Sequence, residues 1–280
     1  MTTARRNAKR RSSRSRRRTA AAQVRRAGVA MGRSVSQQPA EAGALLTRRL
    51  PAVRVGRMSF LGKAILAFWA DVDASGEADY NDWHTREHMP ERCGVPGFLR
   101  GRRYVAVAAA PKYFMMYETE TLETLASPAY VERLNNPTPW TRKCLALFRN
   151  SNRTACRNTL SIGRGVGGAM ATIRLGPAAG REQALRQWLT SEALPKLLER
   201  PGISAAHLCE ADVETTTVKT AEKSIRDKPD EVARWVLLVE GTDADIVQRA
   251  CAEMLGAKAL EAHGAEAGAI TGIYALHYVL

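Results

Sequence analysis

Five polar side chains in the segment "DYNDWHTREHMPER" are spaced for acid–base chemistry on one helix. They are Tyr80, His84, Glu87, His88 and Glu91, at intervals of three and four residues. Because 3.6 residues make one helical turn, residues three or four apart share a face. Imidazole titrates near neutral pH, and a neighbouring carboxylate orients it and raises its basicity. The spacing predicts a catalytic base at His84 or His88, oriented by Glu87 or Glu91, with the Tyr80 phenol bonding a substrate oxygen.

The same segment allows two other interpretations. The pattern His84-x-x-Glu87-His88 also matches a zinc site in which two histidines bind the metal and the glutamate activates water. A third protein ligand is not identifiable further along the chain, which weighs against a metal. The simplest structural interpretation is a solvated helix face with ion pairs from Arg86 or Arg92 to the glutamates.

A second candidate segment, "NNPTPWTRK", covers residues 135–143. Thr138 and Pro139 form a good N-cap and first-turn pair for a short helix. Trp140 would line a pocket for an aromatic ligand, and Asn135 or Arg142 would orient a carbonyl or carboxylate group of that ligand. The alternative is that Trp140 is an ordinary core residue.

The chain contains an internal repeat. Residues 83–98, "WHTREHMPERCGVPGF", align without a gap with residues 188–203, "WLTSEALPKLLERPGI", at a shift of 105 positions. Further on, "KYFMMYETETLETL" aligns with "RWVLLVEGTDADIV" at a shift of 122, so the second copy has 17 additional residues. They fall around "ETTTVKTAEKSIRDKP", whose polar composition predicts an exposed loop.

The repeat serves as an internal control for the candidate site. Trp83 and Glu87 recur in the second copy, as Trp188 and Glu192, so part of their role is expected to be structural. The two histidines do not recur, since leucine replaces the first and alanine the second. A fold that is kept with apolar residues at these positions does not require histidine there. This favours a functional role for His84 and His88. The recurring tryptophan is expected to pack between helix and sheet, with Trp83 pointing away from the polar face.

Each copy reads strand, helix, strand, strand, helix, strand, the order of a ferredoxin-like βαββαβ unit. In the first copy we predict strands over 63–72, 102–108, 112–118 and 155–162, and helices over 79–93 and 121–134. The fold class is therefore α+β. Two tandem units, 58–162 and 168–280, are expected to pair their sheets and close an intramolecular barrel.

The basic charge of the protein is confined to its first residues. The net charge is +14, and residues 1–57 contain 16 of the 42 Lys and Arg residues but only one acid, Glu41. We expect this segment to be a disordered basic tail, either an artefact of a start codon upstream of Met58 or an arm that binds nucleic acid nonspecifically. Five cysteines without a CxxC pair, and no apolar run long enough to cross a bilayer, predict a cytoplasmic protein.

The βαββαβ doublet, the "WHTREHMPER…PGF" helix and the run "SPAYVERLNNPTPWTRK" resemble the dimeric α/β-barrel superfamily, with the EthD-like branch as the most similar. The resemblance covers about residues 60–280. The superfamily includes cofactor-free monooxygenases, muconolactone isomerases, polyketide cyclases, haem-binding enzymes and proteins without known activity. It implies a pocket between each helix pair and its sheet, with polar helix residues pointing inward.

These observations lead us to expect a small-molecule enzyme of the lyase, isomerase or monooxygenase type. Its substrate would be a hydrophobic carbonyl, phenol or lactone-like compound, and no tightly bound organic cofactor is expected. Three alternatives stay open: a noncatalytic binding or accessory protein of the same fold, a haem or divalent-metal protein in which the histidines are ligands, and a nucleic-acid-binding protein that acts through the tail. The two units would pair within the chain as a pseudo-dimer, and two such chains could also form a homodimer.

Overall fold

The computed structural model of the protein describes residues 59–226 and 228–280. These residues contain eight antiparallel strands that form a closed barrel in the order β1-β3-β2-β8-β5-β7-β6-β4. The strands are β1 Ala64–Val72, β2 Phe98–Ala108, β3 Tyr113–Thr119, β4 Phe148–Gly163, β5 Ala169–Leu175, β6 Ile203–Ala211, β7 Trp235–Gly241 and β8 Ile270–Val279. Within each half the order is 4-1-3-2, the ferredoxin-like arrangement, so the predicted fold class is confirmed.

Two seams close the barrel. Strand β2 of the first half pairs with β8, and β4 pairs with β6, so every strand edge has a partner. Alternate side chains of β1 point to opposite faces, as the two-residue period of a strand requires. Ile65, Ala67 and Trp69 pack inside the barrel with residues of both halves, whereas Leu66 and Phe68 face the helices of the first half. The indole Nε1 of Trp69 donates to Thr172 Oγ1 across the interior at 3.2 Å.

The helices lie outside the barrel. Those of the first half are α1 Glu77–Trp83, α2 Met89–Cys93, α3 Pro128–Asn135 and α4 Pro139–Leu145. Those of the second half are α5 Glu182–Trp188, α6 Leu194–Leu198, α7 Val213–Thr217, α8 Ala221–Ile225, α9 Ala244–Met254 and α10 Ala257–Ala262. None of the helices in the described ranges is long and apolar enough to cross a membrane.

Two details of the predicted elements differ from the structure. The helix expected over 121–134 is split into a 3-10 turn, Glu123–Ala126, and helix α3, because Pro128 has no N–H to continue a helix and instead occupies the first turn of a new one. Ser127 caps that new helix by accepting a hydrogen bond from the Tyr130 N–H. The final strand of the first half is 16 residues long and begins at Phe148.

The 17-residue insertion of the second copy was predicted to be an exposed loop. Many of its side chains are exposed, as predicted, but the segment is not a loop. It forms α7 and α8, which belong to the second half of the chain but pack on elements of the first half. Thr216 accepts a hydrogen bond from the Ala155 N–H of β4 at 3.0 Å, and Asn135 Oδ1 accepts one from the Ala221 N–H at 3.1 Å. The polar residues of this segment make specific contacts to a neighbouring element, a role that their composition did not predict.

The boundaries of the two units and the basic tail remain predictions. Residues 164–168 connect β4 to β5, at the predicted junction between the copies. The tail predicted for residues 1–57, with its nucleic-acid partner, lies outside the described residues.

Candidate functional site

The helix that contains the two histidines is continuous from Glu77 to Cys93 but widens at its centre. Residues His84–His88 form one π turn, in which the Met89 N–H bonds the His84 carbonyl oxygen. The cause is Pro90, whose ring excludes the usual backbone geometry of the preceding turn and which has no N–H to donate. Leu189–Ala193 form the same π turn before Pro195 in the second half. The π turn therefore belongs to the repeated scaffold, and only the histidines are specific to the first half.

His84 and His88 line a small cavity between this helix, the sheet and the insertion. We call it the histidine cavity; its volume is about 40 Å³. Its remaining walls are mostly apolar and aromatic, with several charged groups on one side. They are formed by Leu66, Phe68, Arg92, Met115, Tyr117, Tyr130, Leu134, Leu145, Phe148, Arg153, Thr220, Glu222, Lys223 and Arg226.

Both imidazoles are uncharged at neutral pH. Burial, reinforced by the positive charges of Arg103 and Arg92, holds the pKa of His84 well below its ordinary value of 6.5. Burial and the charge of Arg92 also lower the pKa of His88 well below 6.5. His84 is 1% exposed, and its Nε2 lies 3.4 Å from the Tyr117 hydroxyl. The Nδ1 atoms of both rings are buried without a hydrogen-bond partner.

The carboxylates and the phenol expected to orient the histidines have other partners. Glu87 accepts hydrogen bonds from the hydroxyls of Thr138 and Thr141, at 2.5 and 3.1 Å, and so holds the start of α4. Glu91 Oε2 lies 3.2 Å from Arg92, and burial raises the pKa of Glu91. The Tyr80 hydroxyl donates to Met115 Sδ. The expectation that an imidazole bonds Glu87, Glu91 or Tyr80 is therefore wrong, since the helix places these groups beside different neighbours.

The second candidate segment lies outside the histidine cavity. Thr138 caps α4 as predicted, its hydroxyl accepting from the Thr141 N–H. Trp140 is half-buried and donates to Asp79 Oδ1 at 3.1 Å, while Asn135 and Arg142 are exposed. None of Trp140, Asn135 and Arg142 lines the cavity, so the structure does not bring them together with the histidines.

Trp83 is buried, as its recurrence predicts, but it does not point away from the histidines. Its indole Nε1 donates to Thr141 Oγ1 at 3.2 Å, and its ring centroid lies 4.3 Å from that of His88. The widened turn and the position of α4 bring the two rings together. The expected orientation of Trp83 is therefore wrong, and its ring forms part of the support for the imidazole.

The sequence did not identify the charged wall of the cavity. Arg92 is 2% exposed and its Nη2 donates to Glu222 of α8, so an ion pair joins the histidine-containing helix to the insertion of the other copy. The Nη1 atom of Arg92, Nε of Arg226 and the hydroxyl of Thr220 are buried without hydrogen-bond partners. The sequence did contain a signal for these groups, because the insertion is the main difference in length between the two copies. Its composition, however, does not indicate which element it packs against.

The second half has no counterpart of the histidine cavity among the described residues. Leu189 and Ala193, which replace the histidines, are buried in one continuous apolar cluster with Leu185, Leu194 and Leu197. The same scaffold thus forms a filled apolar core in one half and, in the other, a cavity lined by both apolar and charged side chains. Because the fold is kept without such a cavity in the described part of the second half, this difference supports a functional role for the cavity of the first half.

Metal and haem ligation were both left open by the sequence. Within the residues that the structure describes, no group of three or more His, Cys, Asp or Glu side chains is arranged to hold a metal ion. The five cysteines are free thiols at separate positions. A buried imidazole nitrogen suits an axial haem ligand, but a cavity of about 40 Å³ cannot hold the macrocycle. The residues around His84 do not fit haem in this conformation.

The low pKa values of the two histidines predict a loss of stability in mild acid. The unfolded chain binds protons as the pH falls through about 6.5, whereas the folded protein does not, so unfolding becomes more favourable below that pH. Between pH 7.5 and 5.5 the two groups should together lower the free energy of unfolding by roughly 2–3 kcal/mol. Urea denaturation at both pH values measures this loss.

The double variant His84→Leu, His88→Ala is the control for this pH dependence. His207 and His277, whose pKa values are also lowered by burial, remain in both proteins and cancel in the comparison. The variant should lose less stability than the wild type over the same pH range. An equal loss in both proteins would show that His84 and His88 titrate alike in the folded and unfolded chains.

Comparisons with known proteins show the fold of this chain. No protein-family model and no curated protein matches the sequence. An anthrone oxidase-like protein has a TM-score of 0.55 and 9% identity, covering 78% of this chain and 92% of its own. A candidate monooxygenase from Fusobacterium nucleatum subsp. nucleatum has a TM-score of 0.51 and 10% identity, covering 78% and 94%. The chain has the dimeric α/β-barrel fold. A haem-binding protein from Thermus thermophilus is also similar, with a TM-score of 0.47, 10% identity and coverage of 78% and 92%.

At sequence identities of about 10%, these similarities show the architecture of the chain and not its reaction. Both halves of this barrel lie in one chain, whose described residues supply all eight strands. The resemblance to the EthD-like branch stays a prediction.

Proposed function

We propose that the protein is a small-molecule enzyme of the lyase, isomerase or monooxygenase type in which His84 is the general base. The substrate is a hydrophobic carbonyl, phenol or lactone-like compound bound in the histidine cavity, and the reaction needs no organic cofactor. The observation that carries this proposal is the buried Nδ1 of His84, an uncharged imidazole nitrogen without a protein partner on a residue that lines the histidine cavity.

The position of the imidazole proton supports His84 as the base. In the tautomer whose Nε2–H donates to the Tyr117 hydroxyl, Nδ1 keeps a free lone pair. Proton abstraction next to a carbonyl places the proton on Nδ1 and moves the C–H electron pair toward the carbonyl oxygen. Return of the proton to a different carbon gives isomerisation, and loss of a group from the adjacent carbon gives elimination.

Arg92 is the candidate group for stabilising the negative oxygen formed in that step. Its Nη1 lies 3.2 Å from Glu91 Oε2 but makes no aligned hydrogen bond, so this N–H remains free to donate. A guanidinium in a water-poor cavity stabilises a developing oxyanion more strongly than it would in water. His88, whose ring lies 5.6 Å from that of His84, is a second base on the same wall.

The similar solved structures support small-molecule chemistry for this fold, since one is called anthrone oxidase-like and another is a candidate monooxygenase. The alternative function is a noncatalytic binding or accessory protein with the same cavity. Either function requires side chains of the cavity wall to move aside when a ligand binds, because the volume of about 40 Å³ is far below the roughly 300 Å³ of a drug-sized ligand site.

Deuterium exchange separates the two functions. Phenylacetone, 2-tetralone and benzofuran-2(3H)-one each have acidic C–H groups next to a carbonyl and an apolar ring. Incubated with the protein in D₂O, at least one of them should exchange these protons faster than in buffer, as followed by proton NMR. The variant His277→Leu, which removes an exposed histidine of β8, is the matched control and should retain the exchange.

Saturable binding of these compounds without exchange above the buffer rate would support the noncatalytic alternative instead. Neither binding nor exchange by any of the three would contradict the proposed substrate class.

A further inference from the structure

A second, open cleft lies on the outer side of the insertion. Its volume is about 510 Å³, within the range typical of small-molecule sites. It is lined by residues of α7 and α8, by Arg226, by residues within 228–232 and by the side chain of Arg153 from β4. Its described lining includes five cationic residues and a single acidic one, Asp230; the cations are Arg153, Lys219, Lys223, Arg226 and Lys228. We call it the basic cleft.

Two of these cations, Arg153 and Lys223, are buried or partly buried and lack a carboxylate partner among the described residues. Arg226 is neutralised by Asp230, at 2.8 Å. Arg153 is only 8% exposed, and its Nη2 donates to the Tyr130 hydroxyl at 3.2 Å. Lys223 Nζ donates to the backbone carbonyl oxygens of Thr216 and Val218. A buried cation that meets only neutral acceptors is costly, and an anion beside it would remove that cost.

The basic cleft and the histidine cavity share a wall. Arg153, Thr220, Lys223 and Arg226 line both spaces. These side chains stand between the two spaces, so a ligand that displaces one of them extends from the cleft into the cavity. On the inner side the same wall faces apolar residues such as Phe68 and Met115 and the two histidines. A molecule held by the cations would thus place its apolar part toward His84.

We propose that the basic cleft is the binding site for the anionic group of a small organic acid, held by Arg153 and Lys223, whose apolar part extends into the histidine cavity. The inference deepens the proposed function, on which it rests for the reaction, by adding a carboxylate to the substrate class. Charge-assisted hydrogen bonds from two cations fix the orientation of such a substrate, which the apolar cavity alone cannot do.

Benzoate and benzamide test this assignment, because they have the same shape and differ in charge. Calorimetric titration of the full-length protein at pH 7 and low salt should give saturable benzoate binding, with benzamide weaker by about tenfold or more. Lys223→Gln, which keeps a donor for the backbone carbonyls, and Arg153→Gln should each weaken benzoate binding by about tenfold. Lys223→Arg should retain it, and Arg142→Gln, on an exposed arginine outside both spaces, should leave it unchanged.

Several outcomes would overturn the assignment. They are the absence of benzoate binding at millimolar concentrations, equal binding of benzoate and benzamide, and binding that survives in both Lys223→Gln and Arg153→Gln. Inorganic phosphate that binds more tightly than benzoate at equal ionic strength would also overturn it, by pointing to a phosphate site. Arg153 is buried and its variant can lose stability, so the partly exposed Lys223 provides the decisive comparison.

The test is independent of catalysis. Benzoate has no acidic C–H, so its binding reports on the cleft and not on His84. Benzoate binding that depends on Lys223, together with no deuterium exchange in the ketones, the lactone or the keto acid 3-benzoylpropionate, would leave the anion site in place and reject the proposed reaction. Deuterium exchange in the screen, together with equal binding of benzoate and benzamide, would reject the anion site and leave the proposed reaction in place.

Discussion

Exchange of His84 for leucine and His88 for alanine should abolish proton exchange in the substrate screen while the protein stays folded. General bases typically contribute roughly 10²- to 10⁴-fold to a proton transfer, and we expect a loss of that size. The substitutions copy the second half of the chain, where Leu189 is fully buried and Ala193 nearly so on the same helical scaffold. The measurement is the NMR exchange rate, compared with that of the wild type at equal protein concentration.

The stability of this double variant decides between a functional and a structural role. Each histidine has a buried Nδ1 without a partner, so its removal takes away an unsatisfied polar atom and few hydrogen bonds. The free energy of unfolding at pH 7.5 should change by less than about 2 kcal/mol, including the space left by the smaller alanine. A much larger loss would identify the pair as structural. The single variants then show which imidazole matters more, and we expect His84.

Replacing Arg102 with methionine should lower the free energy of unfolding by about 3–5 kcal/mol, the largest effect on stability that we expect from a single change. Arg102 lies on β2 inside the barrel and is fully buried. Its Nη2 contacts Glu118 Oε1 at 2.7 Å, and its Nη1 contacts Glu240 Oε2 of the second half at 2.9 Å. Loss of the guanidinium leaves both carboxylates without this partner in a low-dielectric interior.

The network around Glu240 explains the size of the effect. Burial opposes ionisation of this carboxyl, but the hydrogen bond from His207 and the charge of Arg102 outweigh it and lower the pKa of Glu240 to about 2. Glu118 and Glu240 occupy equivalent positions in the two copies, as do Arg102 and His207. Each half thus supplies one carboxylate and one side chain with N–H groups, Arg102 or His207, to a single network inside the barrel.

Denaturation by urea measures the loss, and Arg157→Met is the matched control. Arg157 is an exposed arginine whose contacts to Glu123 and Asp212 are 3.9 and 3.5 Å long, so its replacement should cost less than about 1 kcal/mol. Equal effects of the two substitutions would contradict the role assigned to the buried network. Partial recovery on adding Glu240→Leu to Arg102→Met would support it, since the uncompensated carboxylate is then removed.

The repeat in the sequence determined the architecture of the protein. Its paired motifs predicted two βαββαβ units and a closed barrel, because each unit leaves strand edges that need partners. It also separated scaffold from candidate site, since Trp83 and Glu87 recur as Trp188 and Glu192 whereas the histidines do not. The order of the elements and the division into repeated and unrepeated residues follow from residue spacing and from comparison of the two copies. Both kinds of information are present in the sequence.

Only the tertiary structure decided what surrounds the histidines. Helical spacing placed Glu87, Glu91 and Tyr80 near them, yet Glu87 bonds two threonines, Glu91 lies beside Arg92 and Tyr80 bonds Met115. The partners of a helix face come from whichever elements pack on it, and spacing along one helix does not identify those elements.

The insertion is the clearest example of what the sequence left undecided. Glu222, Lys223 and Arg226 lie more than 120 positions after His88 and belong to the other copy, but they form a wall of the same cavity. Polar composition predicted solvent exposure for them. The buried ion pair between Arg92 and Glu222 reverses that prediction, because two opposite charges satisfy each other in the interior only when the fold brings them together.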